Sequence, residues 1–74
     1  MLRADRLRMK RLEARLSQRA LGEQIGTDQA HVSRIERGER VAITVHTLVK
    51  LADALRVSTD YLLGRDHDPM TSGT

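Results

Sequence analysis

The sequence predicts an all-α fold, a compact bundle of five short helices. Two observations predict it. Between Gln18 and Arg37 the apolar side chains recur as Leu21 and Ile25, then as Val32 and Ile35, so each half of the stretch turns one narrow stripe inward with helical spacing. Ten Leu, five Val, three Ile and seven Ala stand against a single aromatic residue, Tyr61, and there is no cysteine. A chain of 74 residues is one small domain near the lower size that folds without staples, so aliphatic packing between helices has to hold it together.

The first helix is expected over Leu2 to Ala14, with Leu7 and Leu12 pointing inward and Leu16 following at its end. Arg3, Arg6, Arg8, Lys10 and Arg11 enrich the rest of it. Ser17 is placed to cap helix 2, its hydroxyl accepting from an orphan amide of the first turn. Gly22 lies where helices 2 and 3 would cross most closely, and Gly26 can take the left-handed conformation of a tight turn. A small residue, a turn glycine and apolar pairs at these offsets are what a helix-turn-helix requires. Thr27 and Asp28 open helix 3, and either can cap it.

Helix 4 starts at Thr44 or Thr47 and carries the stripe Val45, Leu48, Leu51, Ala52 and Leu55, most of it expected in the core. Ser58 can cap a last short helix, Thr59 to Leu63. The domain is expected to run over residues 1–64, and 65–74, RDHDPMTSGT, reads as a disordered polar tail. Asp66, His67 and Asp68 are adjacent there and cannot preorganise a cation site, and His31 and His46 are too far apart in sequence to form one. No metal and no cofactor are expected.

Charge divides the chain. Residues 1–40 carry ten basic and six acidic side chains, a balance of +4, whereas residues 41–74 carry three and four, a balance of −1. Eleven of the thirteen basic residues are arginine, whose planar fork suits phosphate oxygens and guanine edges. An electropositive front fits a polyanion. No apolar run approaches the ~20 residues that span a bilayer, no signal-peptide core opens the chain, and the stripe of helix 1 is too narrow for a membrane surface. A cytoplasmic, nucleoid-associated protein is expected.

The helix 2–3 segment, with ARLSQ before it, IERGER closing it and LVKLADALRVSTDYLLG beyond, resembles the DNA-binding domain of the phage Cro and repressor type of helix-turn-helix regulators, over roughly Leu7 to Gly64. The resemblance implies that Arg11 pairs with Glu36, tying helix 1 to the recognition helix 3, and that Gln18 bonds a DNA phosphate. It also places Arg37 and Arg40 on backbone phosphates, and Arg11 is counted with them. Two copies are expected to pair through the carboxy-terminal surface, with Val57, Tyr61 and Leu62 or Leu63 as candidates for the seam and the core as their alternative place. The chain departs from the family at Arg15, where glycine is common at a helix end; an arginine resists the left-handed conformation, so that junction is expected to be built differently. The proline that many relatives carry after IERGER is also missing.

An α-helix fits the major groove, and its amino-terminal side chains reach base edges first. The readout set is therefore Gln29, Ala30, His31, Ser33 and Arg34, with Gln29 suited to adenine, Ala30 to a thymine methyl and Arg34 to guanine. Asp28 would be repelled by a phosphate, so it either caps helix 3 or accepts from a cytosine amino group.

The leading function is a sequence-specific transcriptional regulator, a repressor by default, that binds a pseudo-palindromic operator in double-stranded DNA as a homodimer. The alternative is an antitoxin-type module of the same fold that binds a protein partner through helices 4 and 5. Enzymatic chemistry is not expected: there is no glycine-rich phosphate loop, no nucleophile with a nearby base and no acidic cluster on one face. No separate effector or self-cleaving domain is expected in these 74 residues.

Overall fold

The computed structural model describes residues 2–65, and the tail expected over 65–74 lies, after Arg65, outside the described residues. Five helices are present among the described residues: α1 Ala4–Glu13, α2 Gln18–Ile25, α3 Gln29–Glu36, α4 Val45–Leu55 and α5 Thr59–Leu63. Four of them begin at a side-chain cap. Ser17 accepts from the Ala20 amide, Asp28 from His31, Thr44 from Thr47 and Ser58 from Tyr61, each satisfying one orphan donor of a first turn.

α2 packs on α3 and on α4, while α1 lies against α3 and α5. Their inward faces meet in one core of Leu7, Leu21, Ile25, Val32, Ile35, Leu51, Ala52, Leu55 and Leu62. α5 is only five residues long, and it is held by more than its apolar face. The Arg3 amide donates to the Leu62 carbonyl at 2.7 Å, and Arg6 Nη1 donates to the Tyr61 carbonyl at 2.9 Å. The Arg6 guanidinium also lies 4.6 Å from the centre of the Tyr61 ring, and Lys10 Nζ lies 5.4 Å from it, both at cation–π distance.

Four expectations are corrected. α1 is shorter than Leu2 to Ala14, and Leu12 is 55% exposed. Residue 11 sits about 40° round the helix from Leu7, whereas residue 12 sits about 140° round, so the buried partner of Leu7 is Arg11. Val45 is 77% exposed, because it stands at the first turn of α4, off the line of Leu48, Leu51 and Leu55. Arg15 does adopt the left-handed conformation (φ 58°), as does Arg56 (φ 57°) at the end of α4. Leu62 is fully buried; it faces α1 and the core, so it is no part of a seam.

Candidate nucleic-acid interface

The α2–α3 unit is locked by backbone contacts that its glycines permit. A Cβ on Gly22 would stand 3.0 Å from both the carbonyl carbon and the carbonyl oxygen of Asp28, so a side chain here would push the start of α3 away from α2 by a few tenths of an ångström. Gly26 closes α2 at φ 81°, and the Thr27 amide donates to the Gly22 carbonyl at 2.7 Å. Asp28 then accepts from the His31 amide at 2.8 Å. Of its two expected roles, capping is the one the geometry displays.

Behind this unit is a buried ionic knot. Glu36 Oε2 accepts from Arg11 Nε at 2.6 Å and Glu36 Oε1 from Arg11 Nη2 at 3.0 Å, while Arg11 Nη1 donates to the Leu16 carbonyl at 2.8 Å. The side chains are 10% and 4% exposed. Gln18 Nε2 also donates to Glu36 Oε1, at 3.2 Å. One carboxylate thus joins the first three helices. All three guanidinium nitrogens of Arg11 are engaged inside the protein, which removes it from the phosphate set and leaves it the structural partner of Glu36.

The solvent face of α3 carries the remaining candidates. Gln29, Ala30 and Arg34 are exposed, His31 and Ser33 half-buried. Arg37 and Arg40 are exposed beyond the helix end. Their circumstances differ, because Arg37 Nη1 donates to Ser33 Oγ at 2.8 Å and Arg37 Nε to Glu39 Oε2 at 2.8 Å, whereas Arg34 and Arg40 make no ion pair among the described residues. On α2 the exposed Arg19 pairs with Glu23 at 3.6 Å. The hold on Arg37 was not anticipated, although Ser33 and Arg37 stand four residues apart on one helical face. Neither was the bond from Gln18 to Glu36.

On the candidate seam, Val57, Tyr61 and Leu63 are half-buried. Leu63 opens onto a groove of about 530 Å³ whose apolar walls include Leu2, Val41, Ile43, Val45 and Leu48. No helix among the described residues is long and apolar enough to cross a membrane, and none of these residues forms a cluster of three or more His, Asp or Glu able to hold a metal ion.

A model of the helix-turn-helix family matches residues 7–62. The chain belongs to this family. It is similar to the P22 c2 repressor in a crystal structure with a synthetic operator in the presence of Tl+, at 35% identity over 89% of this chain and 98% of that one, with a TM-score of 0.80. It is also similar to the DNA-binding domain of the P22 c2 repressor in solution, at 33% identity over 93% and 90% of the two chains with a TM-score of 0.76. A third match is SinR, a master regulator for biofilm formation, in a crystal structure with DNA, at 30% identity over 81% and 95% with a TM-score of 0.74. This helix-turn-helix protein is thus a DNA-binding transcription regulator of the repressor type and not an enzyme.

Proposed function

We propose that this helix-turn-helix protein represses transcription by binding a pseudo-palindromic operator as a homodimer, each protomer laying α3 in the major groove of successive turns, about 34 Å apart. The observation that carries this reading is the exposed row Gln29, Ala30 and Arg34, held to the core by the close approach of Gly22 to Asp28 and by the Arg11–Glu36 knot. Gln29 reads adenine, Arg34 reads guanine and Ala30 touches a thymine methyl. His31 adds a contact from the half-buried edge. Gln18, Arg37 and Arg40 bind backbone phosphates and set the register. Val57, Tyr61 and Leu63 line the seam between protomers. The protein acts in the cytoplasm, on the nucleoid. The operator complex of the similar P22 c2 repressor and the DNA complex of the similar SinR support the partner.

Selection from a random duplex library at about physiological salt tests the reading. An enriched inverted repeat with half-site centres about ten base pairs apart, lost in Gln29→Ala and Arg34→Ala, is the expected outcome. Retention without enrichment, fading steeply with salt, would reduce the protein to a generic phosphate binder.

One observation favours a protein partner in addition. SinR has also been solved in complex with SinI, and that structure matches 99% of this chain at 28% identity with a TM-score of 0.77. In this second reading the chain is an antitoxin-type module that binds and silences a protein partner seated on α4 and α5, and its DNA binding is autoregulatory.

A further inference from the structure

Glu39 is the one acidic side chain on the stretch from Arg37 to Arg40, and it is folded back onto the first of these arginines. The fold-back is built into the end of α3. The Gly38 amide donates to the Ile35 carbonyl at 3.1 Å, Gly38 turns with φ 76°, and the Glu39 amide then reaches the Arg34 carbonyl at 3.1 Å. That hairpin brings the Glu39 carboxylate onto Arg37 Nε at 2.8 Å, while Ser33 Oγ takes Arg37 Nη1 from the other side. Arg37 is thereby clamped along the surface between two acceptors of its own chain. Its neighbours Arg34 and Arg40 carry no such partner among the described residues.

We propose that Glu39 is a built-in competitor for the phosphate contact of Arg37, a positioning residue that sets how tightly the protein holds DNA without affecting which sequence it reads. The proposal rests on the DNA-binding reading above. A phosphate approaching Arg37 at Nε has to displace the carboxylate that already fills that donor, and one approaching at the other N–H groups meets the negative charge of Glu39 beside it. Ser33 is the neutral half of the clamp: it keeps the guanidinium at the helix end when the carboxylate lets go. Since phosphate contacts carry no sequence information, the competition lowers affinity by the same factor on operator and on random duplex. Both members are exposed, so the pair itself is weak in water and is readily exchanged for a phosphate.

The test is a double-mutant cycle on full-length protein. Binding to a random duplex and to the selected operator is measured over a range of salt for the wild type, Glu39→Gln, Arg37→Ala and the double variant. Glu13→Gln, which removes the same charge from α1, serves as the control. Glu39→Gln is expected to tighten binding about two- to fivefold on both duplexes, while Arg37→Ala, which removes the phosphate contact itself, flattens the salt dependence by about 0.9 in slope. Combined with Arg37→Ala the gain disappears, and Glu13→Gln leaves the slope unchanged. An equal gain with and without Arg37, or the same gain from Glu13→Gln, would reduce Glu39 to a share of the net charge and overturn the proposal. No gain at all overturns it too. Wild-type protein that binds neither duplex would instead overturn the DNA-binding reading, an outcome distinct from a flat cycle on protein that binds.

Discussion

Arg11 and Glu36 face each other through a two-pronged ion pair, Nε to Oε2 at 2.6 Å and Nη2 to Oε1 at 3.0 Å, inside the angle between α1 and α3. Each charge is taken out of water only because the other is there. Glu36 has the Gln18 amide as a further donor, and Arg11 has the Leu16 carbonyl as a further acceptor, so no polar atom in the knot is left unmatched. Arg11→Ala leaves a buried carboxylate with one neutral donor. It is expected to cost about 3 kcal/mol, which for a domain of this size lowers Tm by more than about 10 °C. Arg8→Ala, on the exposed side of α1, is expected to stay within about 0.5 kcal/mol. Thermal unfolding of both variants side by side decides it; equal Tm values would mean that the pair holds nothing.

That pair also marks how far the sequence could be read. Caps were legible because their chemistry is local: Ser17, Asp28 and Ser58 stand directly before a helical stripe, and the structure makes each of them a cap. Gly22 and Gly26 were legible because a close crossing and a left-handed turn leave few other residues possible. The inward face of α1 is only half legible from hydropathy. Hydropathy puts Leu12 inside, whereas helix geometry puts Arg11 there, and only a carboxylate 25 residues away makes that tolerable. The hold of Glu39 on Arg37 depends on a turn at Gly38 whose direction composition does not record. The sequence leaves Tyr61 between seam and core, and the cations that cover its ring come from α1, 55 residues away for Arg6.

Gly22 and Gly38 separate two reasons for glycine. At Gly38 a Cβ would have nothing within 4 Å, so only the left-handed φ of 76° opposes a side chain. At Gly22, inside α2 with ordinary helical backbone, a Cβ would press on the Asp28 carbonyl group at 3.0 Å, and backbone cannot rotate away as a side chain can. Gly22→Ala is therefore expected to cost about 1 to 3 kcal/mol by overpacking, of which the higher helix propensity of alanine returns about 1, and to weaken operator binding through a displaced α3. Gly38→Ala is expected to cost about 1 kcal/mol. Amide spectra distinguish the two causes: Gly22→Ala must shift Thr27 and Asp28, and an unshifted pair would place the close approach elsewhere.

Arg15 and Arg56 pay a conformational cost at two helix ends. The hydrogen bonds around Arg56 are those of a glycine-type terminus, with the Val57 amide donating to the Ala52 carbonyl at 3.0 Å and the Arg56 amide to Asp53 at 3.2 Å, and the residue itself sits at φ 57°. A left-handed L-residue costs about 1 to 2 kcal/mol, of which the greater freedom of glycine in the unfolded chain returns about 0.4 to 1. Arg56→Gly is expected to raise stability by about 0.5 kcal/mol. Arg15→Gly should do the same. Urea unfolding reads both, and a loss of stability in either would mean that the arginine side chain holds its helix end by a contact worth more than the strain.

Arg34 and Ser33 are neighbours on α3 that the proposed reading separates in role. Arg34 is exposed and without an ion pair among the described residues, so its fork is available for a guanine edge, and Arg34→Ala is expected to cost about 1 to 3 kcal/mol on the operator and little on random duplex. Ser33 was expected to read a base, yet its hydroxyl accepts from Arg37 Nη1 at 2.8 Å. If its work is to hold Arg37 at a phosphate, Ser33→Ala weakens operator and random duplex by the same modest factor and leaves the preferred sequence unchanged. Titration of the two variants against the operator and against duplexes altered at single positions tells the roles apart. A Ser33→Ala protein that tolerates a new base at one position would return Ser33 to the readout set, and an Arg34→Ala protein that loses equally on every duplex would move Arg34 to the backbone.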